Sequence, residues 1–225
     1  MGVVDDYERS LRSLSQVVSS KNLPISRAVS DEFSFWKNKT ELSSSAYPRL
    51  KAYWDSVNYG SNWTPSGTPW SAAFVSHLLK PYDLPGSGAH YLYVKGAMEG
   101  KGGWRAFSIP KNIGKIQVSV GDVVVRPRTG GYHKSHGDVI YKIEKGKAYT
   151  IGGNLGDTVK RADTIKLDTS NTILDSGRYK IILKKNPVYG EDLSTNKMLA
   201  YGGFAAAGLL GLVLAYNVAD RKGLI

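Results

Sequence analysis

Pro69-Trp70-Ser71-Ala72-Ala73-Phe74-Val75-Ser76 constrains this chain more than any other stretch, because it reads as the opening of a helix that has to be buried. Proline pre-sets a helical φ and lacks a donor that the first turn would leave unpaired, so Pro69 suits a helix that begins at Trp70 or Ser71. Phe74, Val75, Leu78 and Leu79 follow at helical spacing and direct one face into a core. Ser71 then stands at the end where backbone N–H groups point outward and the helix carries partial positive charge. A nucleophile whose attack creates an oxyanion fits that position. So does a plain N-cap, a role that serine fills often.

Two later segments bear on the choice. Ser135-His136-Gly137-Asp138-Val139-Ile140-Tyr141 places a histidine at the mouth of a short β-branched strand, and Tyr149-Thr150-Ile151-Gly152-Gly153-Asn154 is a second apolar strand ending in two glycines and an amide. Glu144-Lys145-Gly146-Lys147 between them is a good hairpin turn, so the two strands are expected to pair antiparallel. Such a hairpin brings His136 near one end of the second strand. Register decides whether that is the Asn154 end.

A helix N-terminal nucleophile, a strand-borne histidine and a polar residue on the next strand follow the order of the papain-like cell-wall hydrolases. The chain resembles their CHAP and NlpC-type branch, in which a helix opening Trp-Cys-Ala-Ala-Phe-Val precedes a Gly-Asp strand, a Gly-His strand and a Gly-Gly-Asn element. The corresponding elements here are Trp70-Ser71-Ala72-Ala73-Phe74-Val75, Gly121-Asp122-Val123-Val124-Val125, Ser135-His136-Gly137-Asp138 and Gly152-Gly153-Asn154, four motifs in order between Ala52 and Leu183. The resemblance implies an α+β papain-like fold with a small antiparallel sheet packed on helices. It implies hydrolysis of an amide in a peptidoglycan stem peptide without a cofactor. Ser71 would attack, His136 would act as general base and then acid, and Asn154 would orient the imidazole. Trp70, His90 and Tyr91 are the candidate substrate-binding residues, His90 lining the cleft from the opposite side. A histidine among aromatics also reads as a hydrogen-bonded core or surface residue.

The departure from the family is the nucleophile. The chain has no cysteine, and Ser71 stands where the family has its thiol, as in an uncharacterised bacterial and viral branch that the chain looks like. A thiol is readily ionised by a helix end and a histidine, whereas a serine hydroxyl must lose its proton during the attack to a well-placed base. The alternative is a non-catalytic structural or binding protein that keeps the fold, such as a membrane-associated component of a viral or phage particle.

Other polar residues carry less. His77 is six residues after Ser71 on the same helix and reads as structural. His133 and His136 form a His-x-x-His pair with no obvious third ligand, and metal sites usually need three or four, so none is expected. Asp122 reads as a strand-start carboxylate, and Asp138 as a group that orients backbone or Arg126.

Met198 to Val218 contains no charged residue and is long enough, at about 1.5 Å per residue, to cross a hydrocarbon core of roughly 30 Å. Tyr201 and Tyr216 sit near its ends, Lys197 and Arg221-Lys222 flank it, and Gly203, Ala207, Gly211 and Ala215 form a small-residue stripe suited to close helix packing. The expectation is a single-pass, tail-anchored protein without a secretory signal, in a cellular or virion membrane or associated with a capsid. Its partners would be membrane lipid, peptidoglycan, and a second copy or virion proteins through the helix.

The remaining organisation is simple. Residues 1–22 read as an amphipathic helix with Tyr7, Leu11, Leu14 and Val18 on one face, 23–185 as the hydrolase-like domain, 186–197 as a polar linker, 198–218 as the membrane helix and 219–225 as a short basic tail. Helices are expected over Ala28–Trp36 and Tyr47–Val57 and within Ser87–Gly103. Strands are expected near Ile116–Val120, Val123–Arg126, Val139–Ile143, Ala148–Gly152 and Tyr179–Leu183. The net charge of +11, from 30 basic and 19 acidic residues, favours an anionic partner. The lysines are scattered and no nucleic-acid motif accompanies them, so a specific nucleic acid is not expected.

Overall fold

The computed structural model of the chain describes residues 25–129 and 131–185. Residues 25–36 are helical (α1), followed by α2 (Tyr47–Ser56), α3 (Ser71–Leu79) and α4 (His90–Met98). Among the described residues seven strands follow: β1 (Trp104–Ser108), β2 (Val123–Arg128), β3 (Gly131–Glu144), β4 (Lys147–Gly152), β5 (Lys160–Leu167), β6 (Ile173–Asp175) and β7 (Ile181–Lys185). They form one sheet in the order β1-β7-β2-β3-β4-β5-β6, with every neighbouring pair antiparallel. The α+β class and the antiparallel sheet are therefore as the sequence implies. The segments 1–22, 186–197, 198–218 and 219–225 lie outside the described residues, among which no helix is long and apolar enough to cross a membrane.

Alternation along the strands divides the core in two. Val123, Val125, Val139, Ile151, Ile181 and Leu183 face the helices and share a cluster with Leu50, Trp54, Phe74 and Leu79. Val124, Ile140, Ile165 and Ile182 face the other way and pack with Phe107, Ile109, Ile116 and Tyr179. Side chains two apart on a strand share a face, so a run such as Val123-Val124-Val125 feeds both clusters at once.

The start of α3 is held by aromatic packing. Trp70 is fully buried, stacks on Trp36 at 5.0 Å and on Tyr53 at 5.8 Å, and donates its Nε1–H to Glu41 Oε2 at 2.7 Å. Trp36 donates to the Tyr53 hydroxyl at 2.9 Å, and that hydroxyl donates to the buried Glu32 carboxylate, which Arg49 approaches at 3.3 Å. Each indole and phenol thus buries its ring while its polar handle finds a partner, which is what permits such large side chains in a core.

The β3–β4 hairpin closes where the turn signal stands: Glu144 pairs with Lys147, and Lys145 and Gly146 take φ of 52° and 69°. Two consecutive left-handed residues are the geometry of a type I′ turn. Elsewhere the expectations shift. Ile116–Val120 is not a strand but an irregular segment with a single bridge from Gln117 to Thr172, its backbone bonding the loop that contains Asn171 and the start of β6. The Tyr179–Leu183 strand begins two residues later, at Ile181. β1, β5 and β6 carry no clear alternation in sequence; the burial of β5 runs exposed to half-buried until Ile165 and Leu167.

Candidate functional site

Ser71 opens α3 and is not its N-cap: Trp70 holds that position and supplies no side-chain cap. Relieved of capping, the Ser71 hydroxyl lies 2.7 Å from His90 Nε2. His90 is the first residue of α4, and its other ring nitrogen, Nδ1, bonds the hydroxyl of Tyr93 one turn later. The three side chains form a chain Ser71–His90–Tyr93, and Ser71 and His90 are only 6% and 7% exposed. Burial above all, with the Arg128 and Arg126 guanidiniums adding to it, holds the His90 imidazole well below the usual histidine range. Burial and the Asp138 carboxylate push the Tyr93 phenol well above its usual range, so it stays protonated.

His136 belongs to a second chain of side chains. Its Nδ1 accepts from Arg128 Nη2 at 2.9 Å, and since a guanidinium only donates, the proton resides on Nε2, which donates to Asp138 Oδ1 at 3.0 Å. Asp138 Oδ2 accepts from the Tyr179 hydroxyl at 2.8 Å, and Thr150 lies 3.0 Å from that phenol. Burial and the Asp138 charge push the Tyr179 hydroxyl far up. His136 and Asp138 are fully buried, and Arg126 Nε stands 4.0 Å from Asp138 Oδ2. The His136 and His90 rings are 5.2 Å apart at 49°, in contact but without a hydrogen bond between them.

Three glycines make this convergence possible. A β-carbon on Gly137 would overlap the Tyr93 hydroxyl and stand 3.0 Å from His90 Nδ1, so α4 reaches β3 only because that side chain is missing. A β-carbon on Gly152 would overlap Asp138 Oδ1, and one on Gly153 would stand 2.7 Å from the Phe74 β-carbon. The Gly-Gly pair therefore makes room for the Asp138 carboxylate on one side and for α3 on the other.

Of the residues expected at the site, the structure joins Ser71 to His90 and brings His136 within ring contact of that pair. Asn154 is half-buried, with φ of 54°, just past the end of β4. Extending the Val139↔Ile151 register would set it opposite His136, but β4 ends at Gly152, and both ring nitrogens of His136 are taken by Arg128 and Asp138. Trp70 is core rather than a substrate surface. Tyr91 is half-buried at the second position of α4. His77 packs against the Tyr53 ring at 5.1 Å, and burial lowers its pKa. His133 is exposed while His136 is buried, and among the described residues no group of three or more His, Cys, Asp or Glu could hold a metal. Asp122 is buried beneath Lys184, which it pairs, and accepts the Ser119 N–H at 2.8 Å.

Tyr93 and Tyr179 were not anticipated. His90 and Tyr93 are three apart on one helix, a spacing that makes side chains neighbours, and His136 and Asp138 are two apart on one strand. Those spacings were available signals; nothing local points to Tyr179. No family model, curated protein or solved structure matches the chain.

Proposed function

We propose that this protein is a serine-dependent amide hydrolase acting on peptidoglycan stem peptides, with Ser71 as nucleophile and His90 as its general base. The observation that carries the proposal is the 2.7 Å approach of Ser71 Oγ to His90 Nε2 at the opening of α3. With the His90 Nδ1–H directed to the Tyr93 oxygen, Nε2 presents a lone pair to the serine proton, and Tyr93 takes the orienting place that a carboxylate holds in a Ser-His-Asp triad. The developing oxyanion would lie at the first turn of α3, whose N–H groups have no intrahelical partner. Packing of that helix on an antiparallel sheet that carries His136 and the Gly152-Gly153 pair supports the papain-like resemblance.

In this mechanism His136 shapes the site. Its ring backs His90, while Asp138 and Arg128 fix its orientation, and Asn154 lines the end of β4. The test is release of peptide from purified peptidoglycan by the full chain. Wild type should exceed Ser71→Ala and His90→Ala by orders of magnitude; equal release by all three would refute the proposal.

One observation favours the alternative of a binding or structural protein: Ser71 and His90 are both more than nine-tenths buried and His90 is held uncharged, as in a satisfied core hydrogen bond. Under that reading the 198–218 segment would anchor the fold to a cellular or virion membrane and its small-residue stripe would recruit a second helix. Detergent dependence of the full chain, lost on truncation before Met198, tests the anchor under either reading.

A further inference from the structure

Arg128 ends β2 beyond the point where the strand leaves its regular register. Val123 to Arg126 pair in step with Val139 to His136, after which two steps along β2 match five along β3, with Pro127 in the gap. Burial falls from complete at Val125 to exposed at Arg128. Yet this exposed side chain is not loose, because its Nη2 donates to the buried His136 Nδ1, and His136 is in turn held by Asp138. The protein thus spends a buried His–Asp couple on orienting a surface guanidinium.

Among the described residues Arg128 also has no counter-ion. Arg126 and Arg178 share Asp163, Arg49 has Glu32, Lys184 has Asp122 and Lys185 has Asp83. Among the described residues no carboxylate pairs with Arg128. A guanidinium offers five N–H donors in a planar fork, and the neutral nitrogen of His136 occupies one. The remaining donors suit a bidentate carboxylate, and the ring that holds them touches the ring that holds Ser71.

We propose that Arg128 receives a carboxylate of the substrate beside Ser71, so that the site selects acidic peptides over their amidated forms. The proposal rests on the hydrolase reading for the identity of the ligand. A carboxylate seated there would offset one of the positive charges that keep His90 unprotonated, easing proton transfer from Ser71. Substrate charge and catalytic base would then be coupled through His136.

The test compares the tripeptide L-Ala-γ-D-Glu-meso-diaminopimelate, carrying free carboxylates, with the same tripeptide amidated at those positions. Binding is measured by titration calorimetry on full-length Ser71→Ala, alone and combined with Arg128→Gln or Arg128→Lys. The acidic peptide should bind about tenfold to a hundredfold more tightly, as expected of a charge-assisted pair. Arg128→Gln should erase the preference, and Arg128→Lys, which keeps the charge without the fork, should restore part of it. Equal binding of the two peptides, a preference that survives Arg128→Gln, or no binding of either at millimolar concentration would overturn the proposal. Turnover by the wild type separates the two claims. Hydrolysis of both peptides with equal KM leaves the hydrolase standing without the Arg128 site, and an Arg128-dependent preference without turnover leaves the Arg128 site without the hydrolase.

Discussion

The Tyr93 hydroxyl occupies the space that a β-carbon on Gly137 would fill. That contact joins α4 to β3 and thereby sets His90, bonded to the same hydroxyl, against His136. Gly137→Ala should force the phenol aside, cost about 1–3 kcal/mol of stability through overpacking and separate His90 from Ser71. Adding Tyr93→Phe removes the oxygen in conflict, so the double variant should lose less than the sum of the single variants. Denaturant unfolding of the four proteins in the cycle measures the coupling, and strict additivity would refute it.

His90 and His77 should contribute less stability as pH falls below about 6.5, against an opposite contribution from the raised carboxyls of Glu32 and Asp122. His90 and His77 both have pKa values lowered on folding, chiefly by burial, from a starting value of 6.5. At these two sites the unfolded chain therefore binds protons that the folded chain does not, and their contribution falls as pH drops below the unfolded value. The slope approaches about 1.4 kcal/mol per pH unit for the fully buried His90, and the half-buried His77 adds less. His90→Gln should reduce the slope by about one proton between pH 6.5 and 5, whatever it does to absolute stability. An unchanged slope would mean that His90 protonates in the folded state.

Ser71→Cys should create a reactive thiol. A cysteine at a helix N-terminus beside an imidazole has a lowered pKa, so alkylation by iodoacetamide at pH 7 should be faster than that of free cysteine. His90→Ala should slow it more than His136→Ala, because His90 alone bonds position 71. Ordinary reactivity that neither histidine affects would place the pair in the structural category.

Lys184 and Asp122 form a buried ion pair between β7 and the residue before β2. Asp122→Asn should cost about 3–5 kcal/mol, because it strands a buried ammonium. Asp122→Asn with Lys184→Met should recover much of that loss, since neither charge then needs a partner. Thermal unfolding of the single and double variants decides it, and a double variant as unstable as the single one would show that the pair itself is required.

The sequence by itself determined the α3 helix, the β3–β4 hairpin and the candidacy of Ser71. Those features are local: Pro69 sets a φ, apolar residues recur at one period, and Lys145-Gly146 permits a left-handed turn. It also marked Gly137, Gly152 and Gly153 by their place in the motifs, although not what each makes room for. Tertiary structure decided the partner of Ser71. The hydroxyl meets His90 rather than His136 because the first turn of α4 enters the space vacated by Gly137, while the nitrogens of His136 are claimed by Asp138 on its own strand and by Arg128 past a register slip. Hydrogen bonds between residues 19 and 41 positions apart, as in Ser71–His90 and Asp138–Tyr179, depend on how helices and strands pack. Periodicity records which face a residue lies on, and only packing records what that face meets.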